Sequence, residues 1–160
     1  MSSATGERVL WKGLVAGLAA GVAATVAKSI AERVYPPRTH GEPEPPNELA
    51  EKLSEKVTGH RLSEEGEELA AEAIHWGFGV AAGGFYGVLA EFYPAATEKQ
   101  GATFGLALMS LTHQKALPAL GLSEDPEDQT LRERTSEGAT HVIYGVVAEK
   151  VRGWVRSALD

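Results

Sequence analysis

The chain has 160 residues, no cysteine and a formal net charge of -7. That length suits one domain with a core of its own, and the missing cysteines exclude disulfides, thiolate metal sites and a cysteine nucleophile. The acidic balance, with Lys and Arg scattered along the chain, argues against nucleic acid as a partner, because phosphate recognition needs a basic stripe.

The mean hydropathy of -0.16 is that of a soluble protein. Apolar and charged residues are nevertheless segregated: residues 13–27, 73–90, 101–114 and 138–148 carry no charge. Lys12 and Lys28 bracket the first run, and their stems can reach a bilayer interface, so about 9–31 is predicted as a spanning helix with Trp11 and Tyr35 at interfacial positions. It lacks a small-residue cleavage site and reads as a retained helix rather than a signal sequence. Gly13, Gly17 and Gly21 recur every four residues along one face, which lets another backbone approach.

In "VYPPRTHGEPEPPNE", Pro36, Pro37, Pro43, Pro45 and Pro46 stop that helix and begin a polar loop of about 36–69. Within the loop "ELAEKLSEKV" reads as a short amphipathic helix, capped by Asn47 and ended by Gly59, with Leu49, Leu53 and Val57 on one side facing the bundle or a membrane surface. Ser63 can cap the next helix, whose apolar part, about 70–92, carries Gly79, Gly83 and Gly87 at the same four-residue spacing. A short link at Pro94 leads to a third helix of about 101–120, predicted to form an antiparallel hairpin with the second. After "GLSEDPEDQT" comes a fourth, whose spanning part is about 138–158, with Val142, Val146, Val151, Trp154 and Val155 at helical spacing. No segment reads as a strand. The predicted fold is all-α: one domain, a four-helix antiparallel membrane bundle with an additional short amphipathic helix in the first loop.

Up-down order puts both termini on one side. The opposite side carries nine Glu against four Lys or Arg in residues 36–69, and six acids against two Arg in residues 121–138. The positive-inside tendency therefore places the termini in the cytoplasm.

The glycines at 77, 79 and 83 approach a dinucleotide fingerprint, but that signature needs a strand leading into the turn, and "SEEGEELAAEAIHW" is helix-forming. Close helix packing through Gly13, Gly17, Gly21, Gly79, Gly83 and Gly87 accounts for the spacing without a ligand.

The same topology brings His75, His113 and His141 to a similar level on the acidic side, with Glu137 four residues before His141 and Glu72 three before His75. Three readings are open. Together with Tyr144 they can form an interhelical hydrogen-bond cluster that binds nothing, so that no cofactor is required. They can instead ligate zinc through His75, His113, His141 and Glu137, or haem through a pair of imidazoles. Or they can sense protons, since imidazole titrates near neutrality. His40 and His60 belong to the polar loop and are expected to be solvated. Ser110 lies three residues before His113, but neither an organised Asp nor a glycine elbow accompanies it, so enzyme activity is not expected.

The ordered pieces "YPPR", "IHWGFG", "AEFYP", "THQKALPALGL" and "SEGATHVIYG" resemble the YagU-like family of small bacterial inner-membrane proteins of uncharacterised biochemical function, over about 13–156. The resemblance implies four membrane helices and places the family's histidines at His75, His113 and His141, an acidic position at Glu137, and a Pro-Pro-Arg at Pro36, Pro37 and Arg38. It also implies the inner membrane as location and an association with acid tolerance. The expected role is thus an integral membrane protein of structural or accessory type, partnered by the lipid bilayer and by copies of itself or a larger membrane complex. The alternatives are a metal- or haem-binding membrane protein, and a peripheral or soluble helical module that binds a partner.

Overall fold

The computed structural model describes residues 8–38 and 44–160, and every regular element among them is helical. Helix α1 (Leu10–Val34) is built from Leu, Ala, Val and Gly and stops at Tyr35, because Pro36 and Pro37 can neither donate nor continue the turn. Helix α2 (Pro45–Thr58) opens on two prolines, whose missing N–H groups cost nothing in a first turn, and ends at Gly59 in the left-handed region with φ 73°. Asn47 does not cap it; its amide donates instead to Glu67, 3.0 Å away. His40 and Pro43 lie outside the described residues.

Helix α3 (Glu64–Phe92) starts as expected at Ser63, whose hydroxyl accepts from the Gly66 amide at 3.3 Å while Glu64, Glu65 and Glu67 occupy the positive end of the helix. A tight link, Pro94–Gly101, leads into α4 (Ala102–Leu111). The third apolar segment is not one regular helix. It widens into a π-turn at Thr112–Ala116 before a last helical turn, Leu117–Ala119. Pro118 has no N–H for the Gln114 carbonyl, and a widened turn keeps its ring clear of that oxygen. Helix α5 (Leu131–Ala158) is capped by Thr130, which accepts from the Glu133 amide at 3.1 Å.

Two glycine seams set the helix positions. A Cβ on Gly13 would stand 2.9 Å from the Gly87 carbonyl, one on Gly17 2.9 Å from the Gly87 amide, and one on Gly21 2.9 Å from the Gly79 carbonyl. Thus α1 and α3 run antiparallel at backbone contact, through all six glycines singled out by spacing. A second seam joins α4 to α5, where a Cβ on Gly105 would reach 2.8 Å from the His141 carbonyl carbon and one on Gly145 2.9 Å from the Gly105 amide.

Helix α1 also packs along α5. Lys12 and Asp160 meet at 3.0 Å at one end, and Tyr35 and Thr135 at 2.9 Å at the other. Helices α3 and α5 run in the same direction, crosslinked by Tyr144 to the Gly79 carbonyl, by Tyr86 to Glu149 at 2.7 Å and by Arg156 to Glu91 at 2.8 Å. The expected hairpin packing of α3 on α4 is only partial. Tyr86 and Phe104 stack at 4.3 Å between ring centres, and beyond them the helices flank an apolar groove of about 380 Å³ lined by Phe78, Ala81, Phe85, Ala107 and Leu111.

Burial is inverted relative to a water-soluble bundle. The largest side chains removed entirely from solvent are Tyr86, Tyr144, Thr25, Thr140 and Ser136, and the rest of the interior is mostly Ala and Gly. Leu14, Val22, Val26, Ile30, Phe78, Phe85, Ile143 and Trp154 face outward. On α5 the buried face is Glu133, Ser136, Glu137, Thr140, His141 and Tyr144, at helical spacing. Among the described residues two helices, α1 and α3, are long and apolar enough to cross a bilayer.

Candidate functional site

The polar interior converges at the end of the bundle opposite the Lys12–Asp160 pair. Helix α5 supplies Glu133, Glu137 and His141 from consecutive turns of its buried face, and the π-turn of α4 supplies His113. Helix α1 contributes Lys28 and Glu32, and the Tyr-Pro-Pro-Arg turn that follows it carries Arg38 back across the top of α5. Three contacts fix that turn: Ser136 donates to the Tyr35 carbonyl, Arg132 donates to the Pro36 carbonyl at 3.0 Å, and the Arg132 guanidinium lies 5.3 Å from the centre of the Tyr35 ring.

Glu137 is the centre of the group. It is 3 % exposed, as is His141. Its Oε2 lies 3.4 Å from His113 Nε2, 3.5 Å from His141 Nδ1 and 3.9 Å from Lys28 Nζ, while Oε1 lies 3.8 Å from Arg38. Among the described residues this Oε2 accepts no hydrogen bond. The two imidazole rings meet edge to face with centres 5.0 Å apart. His141 Nδ1 is 2.8 Å from the Glu137 backbone carbonyl, and the His113 backbone carbonyl accepts from the Gln129 side chain at 3.3 Å.

The cations are more closely engaged elsewhere. Lys28 contacts Glu32 directly, and Arg38 meets Glu133 at 2.9 Å. Each of these partly buried cations thus has a closer acid of its own, and Glu137 is the carboxyl left over, without a close cation.

The histidines expected at one level separate in the structure. His113, Glu137 and His141 form a group whose donor atoms lie within 4.8 Å of one another and which could hold a metal ion. His75 is not part of it: its Nε2 pairs with Ser29 Oγ at 3.1 Å. Glu72 serves Trp76 Nε1, at 2.9 Å, rather than His75, and Tyr144 spends its hydroxyl on the Gly79 carbonyl. His60 lies exposed in the turn after α2, with Nδ1 2.8 Å from the Thr58 carbonyl. Sequence reasoning missed Lys28, Arg38 and Glu133 as members of the site. The Pro-Pro turn is the signal for Arg38, since it aims the residue that follows it; nothing local marks Glu133 or Lys28.

Comparison with curated proteins and with solved structures gave no match. Comparison with protein families matched residues 22–150, a stretch that takes in α1 from its second half, the whole charged group and most of α5. The chain belongs to the family described as "Protein of unknown function (DUF1440)".

Proposed function

We propose that the protein is an integral membrane protein of structural or accessory type, a four-helix bundle that keeps its polar groups inside and its large apolar side chains against lipid. The observation that carries this reading is the inverted burial. A soluble bundle buries Leu, Ile, Val and Phe. Here the interior is Ala, Gly, Ser, Thr, Tyr, Glu and His, while Leu14, Val22, Ile30 and Phe85 are exposed. Without a hydrophobic drive between helices, membrane bundles associate through small residues and buried polar contacts, the pattern of the two glycine seams and of the Glu137 group.

Helices α1 and α3 supply two spans by length and composition. The segments 102–119 and 138–158 are read as the other two, with polar side chains turned inward. On α2, Leu53 and Val57 are exposed on one face, which suits a helix lying at the interface. The resemblance to YagU-like proteins supports the bacterial inner membrane, and the acidic loops support cytoplasmic termini.

Alkaline carbonate treatment of membranes from cells producing the protein tests the reading. Retention in the pellet is expected, whereas release into the supernatant would leave the peripheral, partner-binding module in its place. The finer reading, an acid-responsive role through the histidines, is supported by the resemblance and by the two imidazoles that face the Glu137 carboxyl. It predicts that a His75→Ala, His113→Ala, His141→Ala triple variant differs from wild type in helix packing between about pH 7 and 5, and fails if the two behave alike.

A further inference from the structure

We propose that His113, Glu137 and His141 form a binding site for one divalent transition-metal ion of the zinc type, with a fourth coordination position open. The inference names the ligand of the polar group described above, and it rests on the fold of that group, not on the bilayer around it.

Three observations converge on a bound cation. The first is an unmet acceptor. Glu137 Oε2 is buried and without a hydrogen bond among the described residues, although two imidazole nitrogens and an ammonium stand within 4 Å of it. A buried carboxylate oxygen left this way is expensive and calls for a missing water or ion.

The second is charge. Lys28 and Arg38 are held by Glu32 and Glu133, so the carboxylate facing the imidazoles is the surplus one.

The third is spacing. In tetrahedral coordination with bonds of about 2.0 to 2.1 Å, neighbouring donor atoms lie about 3.3 to 3.4 Å apart. The Oε2 distances of 3.4 Å to His113 Nε2 and 3.5 Å to His141 Nδ1 match two such edges. They are poor hydrogen bonds but good ligand-to-ligand contacts.

The donor set selects the class of ion. Two imidazoles and one carboxylate suit zinc and its borderline neighbours, whereas magnesium and calcium favour oxygen donors. Glu137 and His141 are one helical turn apart on α5, and His113 enters from α4 on a π-turn whose carbonyl is anchored by Gln129. To ligate through Nδ1, His141 releases the Glu137 carbonyl; the alternative is a ring rotation that presents Nε2. Lys28 opposes binding, since a divalent ion leaves the group with a net positive charge and this ammonium beside it.

The test uses the full chain, purified in detergent, stripped with a chelator and titrated with cobalt(II). One equivalent per chain is expected to produce the visible ligand-field bands of tetrahedral cobalt, to be displaced by zinc, and to raise the melting temperature as the ion is added. Glu137→Gln and His113→Ala are expected to weaken binding by about a hundredfold, and Lys28→Met to tighten it by roughly tenfold through removal of a neighbouring positive charge. Because Lys28→Met gains rather than loses, a folding defect cannot imitate it. The proposal is overturned if wild-type protein gives no cobalt spectrum and no metal-dependent melting shift, as it would were the surplus charge met by a proton alone. Binding that the Glu137 and His113 variants leave unchanged also overturns it, by placing the ion elsewhere. Neither result bears on carbonate extraction, so the membrane reading stands or falls separately.

Discussion

Gly83→Ala is the most direct probe of the seam that sets the α1–α3 distance. The added Cβ would stand 2.6 Å from the Gly21 amide nitrogen and 2.7 Å from the Gly17 carbonyl oxygen, where ordinary contact begins at 3.4 Å. Both neighbours are helix backbone, so neither can rotate away, and the helices must part by most of an ångström. A gap of that size forfeits roughly a quarter to a half of each dispersion contact along the seam, and overpacking of this kind costs about 1–3 kcal/mol. With backbone on both sides we take the upper end, about 3 kcal/mol, offset by about 1 kcal/mol of helix propensity gained on replacing glycine. The expected net loss is about 2 kcal/mol. Gly77→Ala is the control on the same helix: its Cβ meets nothing within 4 Å, so it should gain about 0.5–1 kcal/mol. Reversible unfolding in mixed micelles, followed by helical circular dichroism, measures both. A Gly83→Ala protein as stable as Gly77→Ala would refute the close packing of α1 on α3.

Further outcomes follow from individual contacts. Arg38→Met strands the buried carboxylate of Glu133 and should cost about 3–5 kcal/mol, most of it recovered in an Arg38→Met, Glu133→Gln double variant if their pairing is the cause. Ser63→Ala removes the α3 cap and should lower stability by about 1 kcal/mol in the same unfolding assay, with hydrogen exchange rising in the first turn of that helix alone. At the opposite end of the bundle Arg156, and after it Lys12, hold the Asp160 carboxyl below the usual carboxylate range. A depressed value stabilises while the group is ionised, and the benefit is lost as pH falls through it. Asp160→Asn should therefore melt at a less pH-dependent temperature than wild type below about pH 4, and parallel acid limbs would count against the ion pairs.

Much of the architecture was legible because it rests on spacing. The four-residue glycine repeats at 13, 17 and 21 and at 79, 83 and 87 announce their seam, and Ser63 and Gly59 announce a helix start and stop, since each does its work within a few residues. The α4–α5 seam was harder to read: Gly101 and Gly105 repeat, but their partner Gly145 has no glycine one turn away on its own helix.

For the site, topology suggested a common level for three histidines, but spacing gives no rotation about the helix axes, and only His113 and His141 meet. The π-turn sets where His113 points, and Pro118 marks a distortion of that helix in the sequence without giving its direction. His75 sits on the part of α3 that faces Ser29 of α1, and it stays out of the Glu137 group. The charged residues that complete the group come from α1, from a turn and from a helix about a hundred positions later, and such long-range pairings leave no local mark.

The absence of native cysteine makes the central claim, that the exposed apolar faces lie in lipid, open to one labelling measurement. Single cysteines at Val22, 47 % exposed, at Phe85, 65 % exposed, and at His60 in the exposed turn would be treated with a water-soluble maleimide in native membranes. The lipid-facing account predicts that Val22→Cys and Phe85→Cys stay unlabelled until detergent denaturation while His60→Cys reacts in membranes opened to the reagent on both sides. Val22→Cys and Phe85→Cys reacting as fast as His60→Cys would contradict it, because only a bundle bathed in water leaves those faces open.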